Sequence, residues 1–122
     1  MKKSILIYDD DLEILEVCKA ILGNTYHIET QVNCDNVMTD VNLLHPDAIL
    51  MDLWIPKIGG EKAIALLKAD PSLKNVPVII FSANDDTERI SERIQADGYL
   101  KKPFDLLEFR TLIHKIVNQD KN

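Results

Sequence analysis

The sequence is poor in most features that would mark a specialised class. It has two cysteines, Cys18 and Cys34, with no CxxC spacing, which argues against a disulfide framework or a cysteine zinc site; both read as buried reduced thiols. His27, His45 and His114 stand at no zinc-site spacing from other ligands. Four glycines and no GxxxxGK run exclude a P-loop nucleotide site. No apolar run approaches the roughly 20 residues of a membrane span; stretches such as 76–81 are strand-sized and interrupted by Pro77. The start MKKSILIYDD offers only Ile5 to Tyr8 as an apolar segment before three aspartates, so a signal-peptide core is missing. Positive charge is the scarcer sign. Fourteen Lys and Arg against twenty Asp and Glu leave a net charge of −6, and the cations are scattered, which argues against nucleic acid as the main ligand. The expectation is a cytoplasmic protein with no membrane and no nucleic-acid partner.

What the sequence does have is a core. At 46% hydrophobic residues, 122 residues suit one domain over 1–122, and a chain of this size buries roughly two-thirds of its unfolded surface. Short β-rich runs (4–8, 26–30, 48–51, 78–81 and a weaker 98–100) alternate with segments whose apolar residues recur at helical steps. The first helix carries Leu12, Leu15, Cys18 and Leu22 and stops at Gly23-Asn24; the last carries Leu106, Phe109, Ile113 and Ile116 behind Asp105 as N-cap. Three more lie near 36–44, 60–69 and 85–95. Runs such as ILIY, AILM and VIIF lack polar alternation, as expected of strands covered on both faces. The pattern predicts an α/β domain: a doubly wound, five-stranded parallel sheet in the order 2-1-3-4-5 with five helices. The fourth helix has only Ile90 and Ile94 as large apolar residues. It reads either as a plain surface helix or as the movable element of a switch.

In a parallel sheet all strand C-termini open on one edge, where such folds bind ligands. Asp9-Asp10-Asp11 end the first strand, Asp52 the third and Ser82 the fourth, while Lys101-Lys102-Pro103 follow the fifth. Strands 1, 3, 4 and 5 are neighbours in the proposed order, so these groups converge. Carboxylates crowded outside bulk water repel by several kcal/mol, and a hard divalent cation such as Mg²⁺ resolves the conflict. Acids, a hydroxyl and an ammonium together suit a phosphoryl group. A carboxylate can itself attack phosphorus. Asp52, alone at its strand end, is the better nucleophile, with Asp9 and Asp10 holding the ion. Taken alone, the acidic run equally suits N-capping of the first helix, and Asp52 a surface turn.

Four motifs, ILIYDDD, ILMDLWIPKIGG around Asp52, VPVIIFSAN around Ser82 and QADGYLKKPF around Lys102, make the chain resemble the receiver domain of two-component response regulators over nearly its whole length. The resemblance implies a flavodoxin-like fold. It implies Asp52 as phosphoacceptor, Asp9 and Asp10 as the acidic pair serving Mg²⁺, and the backbone carbonyl of Trp54 as a further metal ligand. It also implies Ser82 and Tyr99 as switch residues and Lys102 as the site lysine, before a cis Pro103. The partners implied are a histidine kinase or histidine phosphotransfer protein, and a downstream protein target met through the fourth helix, the fifth strand and the last helix. The expected catalysis is confined to the chain's own Mg²⁺-dependent phosphorylation and dephosphorylation, and output is expected to pass through protein contact or onward phosphotransfer. Pro56 and Gly59-Gly60 mark a tight loop that leaves Asp52 accessible.

The sequence departs from the family pattern at Tyr8, Ile55, Gly59 and Gln95, none of which removes a chemical group. Trp54 lies two residues past Asp52, and the resemblance implies that a side chain at this position flanks the phosphoryl group, where a bulky indole would hinder the water that hydrolyses it. Two rival readings differ in class. A phosphate-independent interaction module of the same fold has no need of Asp9, Asp10, Asp52, Ser82 and Lys102 together. A phosphohydrolase of the haloacid-dehalogenase type needs a DxD pair, whereas this chain has Asp52-Leu53-Trp54.

Overall fold

The computed structural model describes residues 2–55 and 59–118; Pro56, invoked above for the loop after Asp52, lies outside them. Five strands and five helices alternate: β1 (Ser4–Tyr8), α1 (Leu12–Leu22), β2 (His27–Gln31), α2 (Val37–Leu44), β3 (Ala48–Asp52), α3 (Gly60–Ala69), β4 (Val78–Ser82), α4 (Thr87–Ile94), β5 (Gly98–Lys101) and α5 (Leu106–Val117). All pairings are parallel, in the order β2-β1-β3-β4-β5. This is the doubly wound α/β fold expected from the alternating periods. Among the described residues no helix is long and apolar enough to cross a membrane.

Alternate side chains of β1, β3 and β4 feed two cores. Ile5, Ile7, Leu50, Ile79 and Phe81 pack against Leu15, Cys18, Phe109 and Ile113 of α1 and α5. Leu6, Tyr8, Ile49, Met51 and Ile80 pack against Val37, Val41, Ile64 and Leu67 of α2 and α3. β1, β3 and β4 are therefore buried almost throughout, whereas the edge strand β2 is half-buried. Both cysteines are buried and free.

Several local details differ from the expected pattern. β2 begins at His27 rather than Tyr26, and β3 and β4 run one residue further, so that Asp52 and Ser82 are their last residues. Leu12 and Leu106, placed above on the apolar stripes of the first and last helices, are 66% and 49% exposed. Each is the first residue of its helix. A helical side chain leans toward the N-terminus, so at this position it projects past the end of the packed layer. α4 starts at Thr87, after a turn in which the Asn84 side chain accepts the Asp86 N–H at 2.7 Å and the Thr87 hydroxyl donates to the Asn84 carbonyl at 2.5 Å. Its buried residues are Thr87 and Ser91, while Ile90 and Ile94 are only partly buried. The seam of α4 is thus even thinner in apolar contact than its sequence suggests. The helix closes on Gln95 in the left-handed region at φ 60°.

Candidate functional site

The C-terminal rim of the sheet gathers the predicted groups. Carboxylate oxygens of Asp9, Asp10 and Asp52 all lie within 4.8 Å of one another. Strand register does this: β1 and β3 are paired neighbours, so the residue after Tyr8 and the last residue of β3 reach the same level. The acidic run divides its labour. Asp11 takes the capping role, its side chain accepting the Glu13 N–H at 2.9 Å, which leaves Asp9 and Asp10 for the rim. Asp9 is fully buried, and its Oδ1 accepts the Asp11 N–H at 2.9 Å while Asp10 stays exposed.

Lys102, the residue after β5, closes the cluster. Its main-chain N–H donates to the Ser82 carbonyl at 2.8 Å, which continues the β4–β5 ladder and fixes the side chain's origin. Its Nζ donates to Asp9 Oδ2 at 2.9 Å and stands 3.8 Å from Asp52 Oδ1. The same ammonium lies 4.5 Å from the centre of the Phe81 ring, a cation–π seat that holds it over the site. The Lys102–Pro103 peptide bond is cis.

Asp52 is only 4% exposed, less accessible than the loop after it led one to expect, and its Oδ1 accepts the Trp54 main-chain N–H at 3.2 Å. Burial is the main reason its carboxyl is pushed up to about 6; the Trp54 N–H opposes that rise, Asp9 adds to it, Lys102 opposes it, and Asp10 adds a little more. Cys18 is buried in the first core, its thiol pushed up to about 12 by burial and by Asp9 against an opposing Lys102, which disfavours the reactive thiolate. Three carboxylates against one ammonium leave a formal charge of −2 in an oxygen-rich cluster at the rim. That donor set fits a hard divalent cation and no soft metal.

α3 approaches this rim so closely that residue 60 has no room for a side chain. A Cβ on Gly60 would collide with the Asp52 carbonyl oxygen and lie 2.9 Å from Leu53 Cα. Gly59, before it, has φ 80°, a glycine conformation.

Ser82 is fully buried beside this cluster, and its Oγ accepts the Asn84 N–H at 3.0 Å and the Trp54 indole Nε1–H at 3.1 Å. Tyr99 is not brought into the cluster. It sits on β5 opposite Ile80, 39% exposed, with its phenol held above the usual value by partial burial and by Glu88, Glu92 and Glu108 around it. Sequence reasoning missed Phe81 as the seat of Lys102, Asn84 and the Trp54 indole as partners of Ser82, and Tyr8, whose buried hydroxyl donates to Asp40 at 2.7 Å. Only Asn84 carried a local signal, as a turn-former two residues past Ser82.

Comparison with known proteins agrees with this geometry. The chain is 31% identical over 107 residues to the DNA-binding response regulator MtrA of Mycolicibacterium paratuberculosis, covering 85% of this chain and 46% of MtrA. It is 28% identical to the phosphate regulon transcriptional regulatory protein PhoB of Klebsiella pneumoniae, covering 98% of this chain and 53% of PhoB. The chain thus spans about half the length of these curated relatives. Among solved structures, the receiver domain of the sensor histidine kinase PA1611 from Pseudomonas aeruginosa PAO1, described with magnesium coordinated in its active-site cleft, superposes with a TM-score of 0.87 at 23% identity, over 98% of this chain and all of that one. The family model of the response regulator receiver domain matches residues 5–114, which include every member of the rim cluster. With the fold, the strand order and that match in agreement, the chain belongs to the response regulator receiver domains of two-component systems.

Proposed function

We propose that Asp52 accepts a phosphoryl group from a phosphohistidine on a histidine kinase or histidine phosphotransfer protein. A carboxylate oxygen of Asp52 bonds to phosphorus as the phosphorus–nitrogen bond breaks, and the departing imidazole keeps the electron pair and takes a proton. Asp9, Asp10, Asp52 and the main-chain carbonyl of Trp54 would hold Mg²⁺, which when bound supplies positive charge to the phosphoryl oxygens and relieves carboxylate repulsion. Lys102, whose Nζ lies 3.8 Å from Asp52 Oδ1, pairs with a phosphoryl oxygen. Ser82 donates its hydroxyl to another.

The observation that carries this reading is the convergence within 4.8 Å of three acids at the ends of two strands, backed by a lysine at the end of another. Beside Lys102 an apolar groove of about 350 Å³, lined by Ile14, Val17, Ala83, Lys102, Pro103 and Phe104, suits the docking of a phosphodonor protein next to Asp52. Phosphorylation draws Ser82 toward the new anion, Tyr99 follows, and α4, seated on Thr87 and Ser91, shifts with β5 and α5 to change a protein-binding face. On this reading the protein is a cytoplasmic signalling domain that acts on no substrate beyond its own aspartate. The DNA binding in MtrA's name describes a protein roughly twice as long; nucleic-acid contact forms no part of the activity proposed for this acidic domain.

Incubation with Mg²⁺ and acetyl phosphate should add the mass of one phosphoryl group to the wild type and none to Asp52→Ala. Equal labelling of both, or of neither, would contradict the proposal, and the second result would favour the phosphate-independent module.

A further inference from the structure

One residue touches both the acceptor and the switch hydroxyl. The Trp54 main-chain N–H donates to Asp52, and its indole Nε1–H donates to Ser82 Oγ at 3.1 Å. The indole is 63% exposed, so packing does not hold it there; its polar end does. A serine hydroxyl has two lone pairs and one proton, and an indole N–H only donates. With the Asn84 N–H on one lone pair and Trp54 on the other, Ser82 Oγ is held by two donors in this rotamer.

We propose that Trp54 is a positioning residue for Ser82: its indole N–H latches the hydroxyl in the resting state, and the latch must open before Ser82 can turn to an anion on Asp52. The proposal rests on Asp52 being the phosphoacceptor. It is separate from any shielding of the phosphoryl group by the indole ring, since a ring without the N–H would still shield. Net hydrogen-bond strengths in water make loss of the latch a roughly two- to tenfold effect on the resting-to-switched ratio.

Two measurements on the full chain test it. In the metal-free protein the single indole N–H resonance should move upfield and exchange faster with solvent in Ser82→Ala than in wild type; an unchanged resonance overturns the latch. With Mg²⁺ present, Trp54→Phe should bind beryllofluoride, a phosphoryl mimic, about two- to tenfold more tightly than wild type by calorimetry or fluorine NMR. In a Ser82→Ala background the same substitution should change nothing, because the two residues act as one unit. Equal or weaker binding by Trp54→Phe, or a gain that survives Ser82→Ala, sinks the latch while leaving Asp52 as acceptor. Failure of the wild type to bind beryllofluoride at all, together with failure to take phosphoryl, removes the acceptor reading and the latch with it.

Discussion

Removing the charge of Asp52 should make the metal-free protein more stable, and the gain should depend on pH in a defined direction. Asp52 sits in the folded state with a pKa of about 6 against an ordinary value of 3.8. An acid whose pKa is raised by folding binds more protons folded than unfolded between those values, so stability falls as pH climbs from about 4 to 6. Above that window the penalty is complete. A shift of about two units at ~1.4 kcal/mol each amounts to something on the order of 3 kcal/mol. Asn has nearly the shape of Asp and can still accept the Trp54 N–H, so Asp52→Asn removes the buried charge with little else. Urea unfolding in chelator at pH 8 should show the variant more stable by up to about 3 kcal/mol, or roughly 4 °C in Tm per kcal/mol. At pH 4.5 the gain should shrink to roughly a third, because most wild-type Asp52 is then protonated when folded. Saturating Mg²⁺ should narrow the gap by stabilising the wild type. A variant less stable than wild type at pH 8, or a difference equal at both pH values, would show that burial of the Asp52 charge does not destabilise the fold.

Three further outcomes follow from the geometry. Gly60→Ala should lose several kcal/mol, on the order of 3 or more, because its methyl meets the Asp52 carbonyl and the Leu53 backbone rather than a side chain that can yield; a stable variant in urea unfolding would deny that close approach. Tyr8→Phe should lower stability by about 1 kcal/mol through the lost hydrogen bond to Asp40, while acetyl phosphate labelling proceeds as in wild type. Trp54→Asn should speed loss of the phosphoryl group several-fold after donor removal, followed by intact mass, whereas Trp54→Phe, which keeps a ring, should stay near the wild-type rate; an unchanged or slower rate in Trp54→Asn would dismiss the shield.

The parts of this molecule legible in its sequence are those governed by local period and by strand polarity. ILIY, AILM and VIIF announce buried parallel strands, and parallel strands place Asp9, Asp52, Ser82 and Lys102 on one rim whatever the loops do. Which member of the acidic run caps α1 is not legible, because capping depends on which residue takes the extended backbone before the helix; Asp11, at ψ 108°, does so and leaves Asp9 and Asp10 for the rim. Pairs such as Trp54 with Ser82 and Tyr8 with Asp40 lie 28 and 32 residues apart and follow no spacing rule. They exist because of tertiary packing alone. Gln95 shows the limit of propensity: it occupies a left-handed cap at φ 60° where glycine would be unstrained, and the helix ends there all the same.

The claim beneath all of this is that one carboxylate, Asp52, is the atom group that takes the phosphoryl. Borohydride reduction of the acetyl phosphate-treated protein converts an acyl phosphate to the corresponding alcohol, so peptide mapping by mass spectrometry locates the modified residue. Homoserine should appear at position 52, dependent on Mg²⁺ during labelling. Homoserine at position 9 or 10, or a phosphoryl group found on histidine with position 52 unchanged, would contradict that claim.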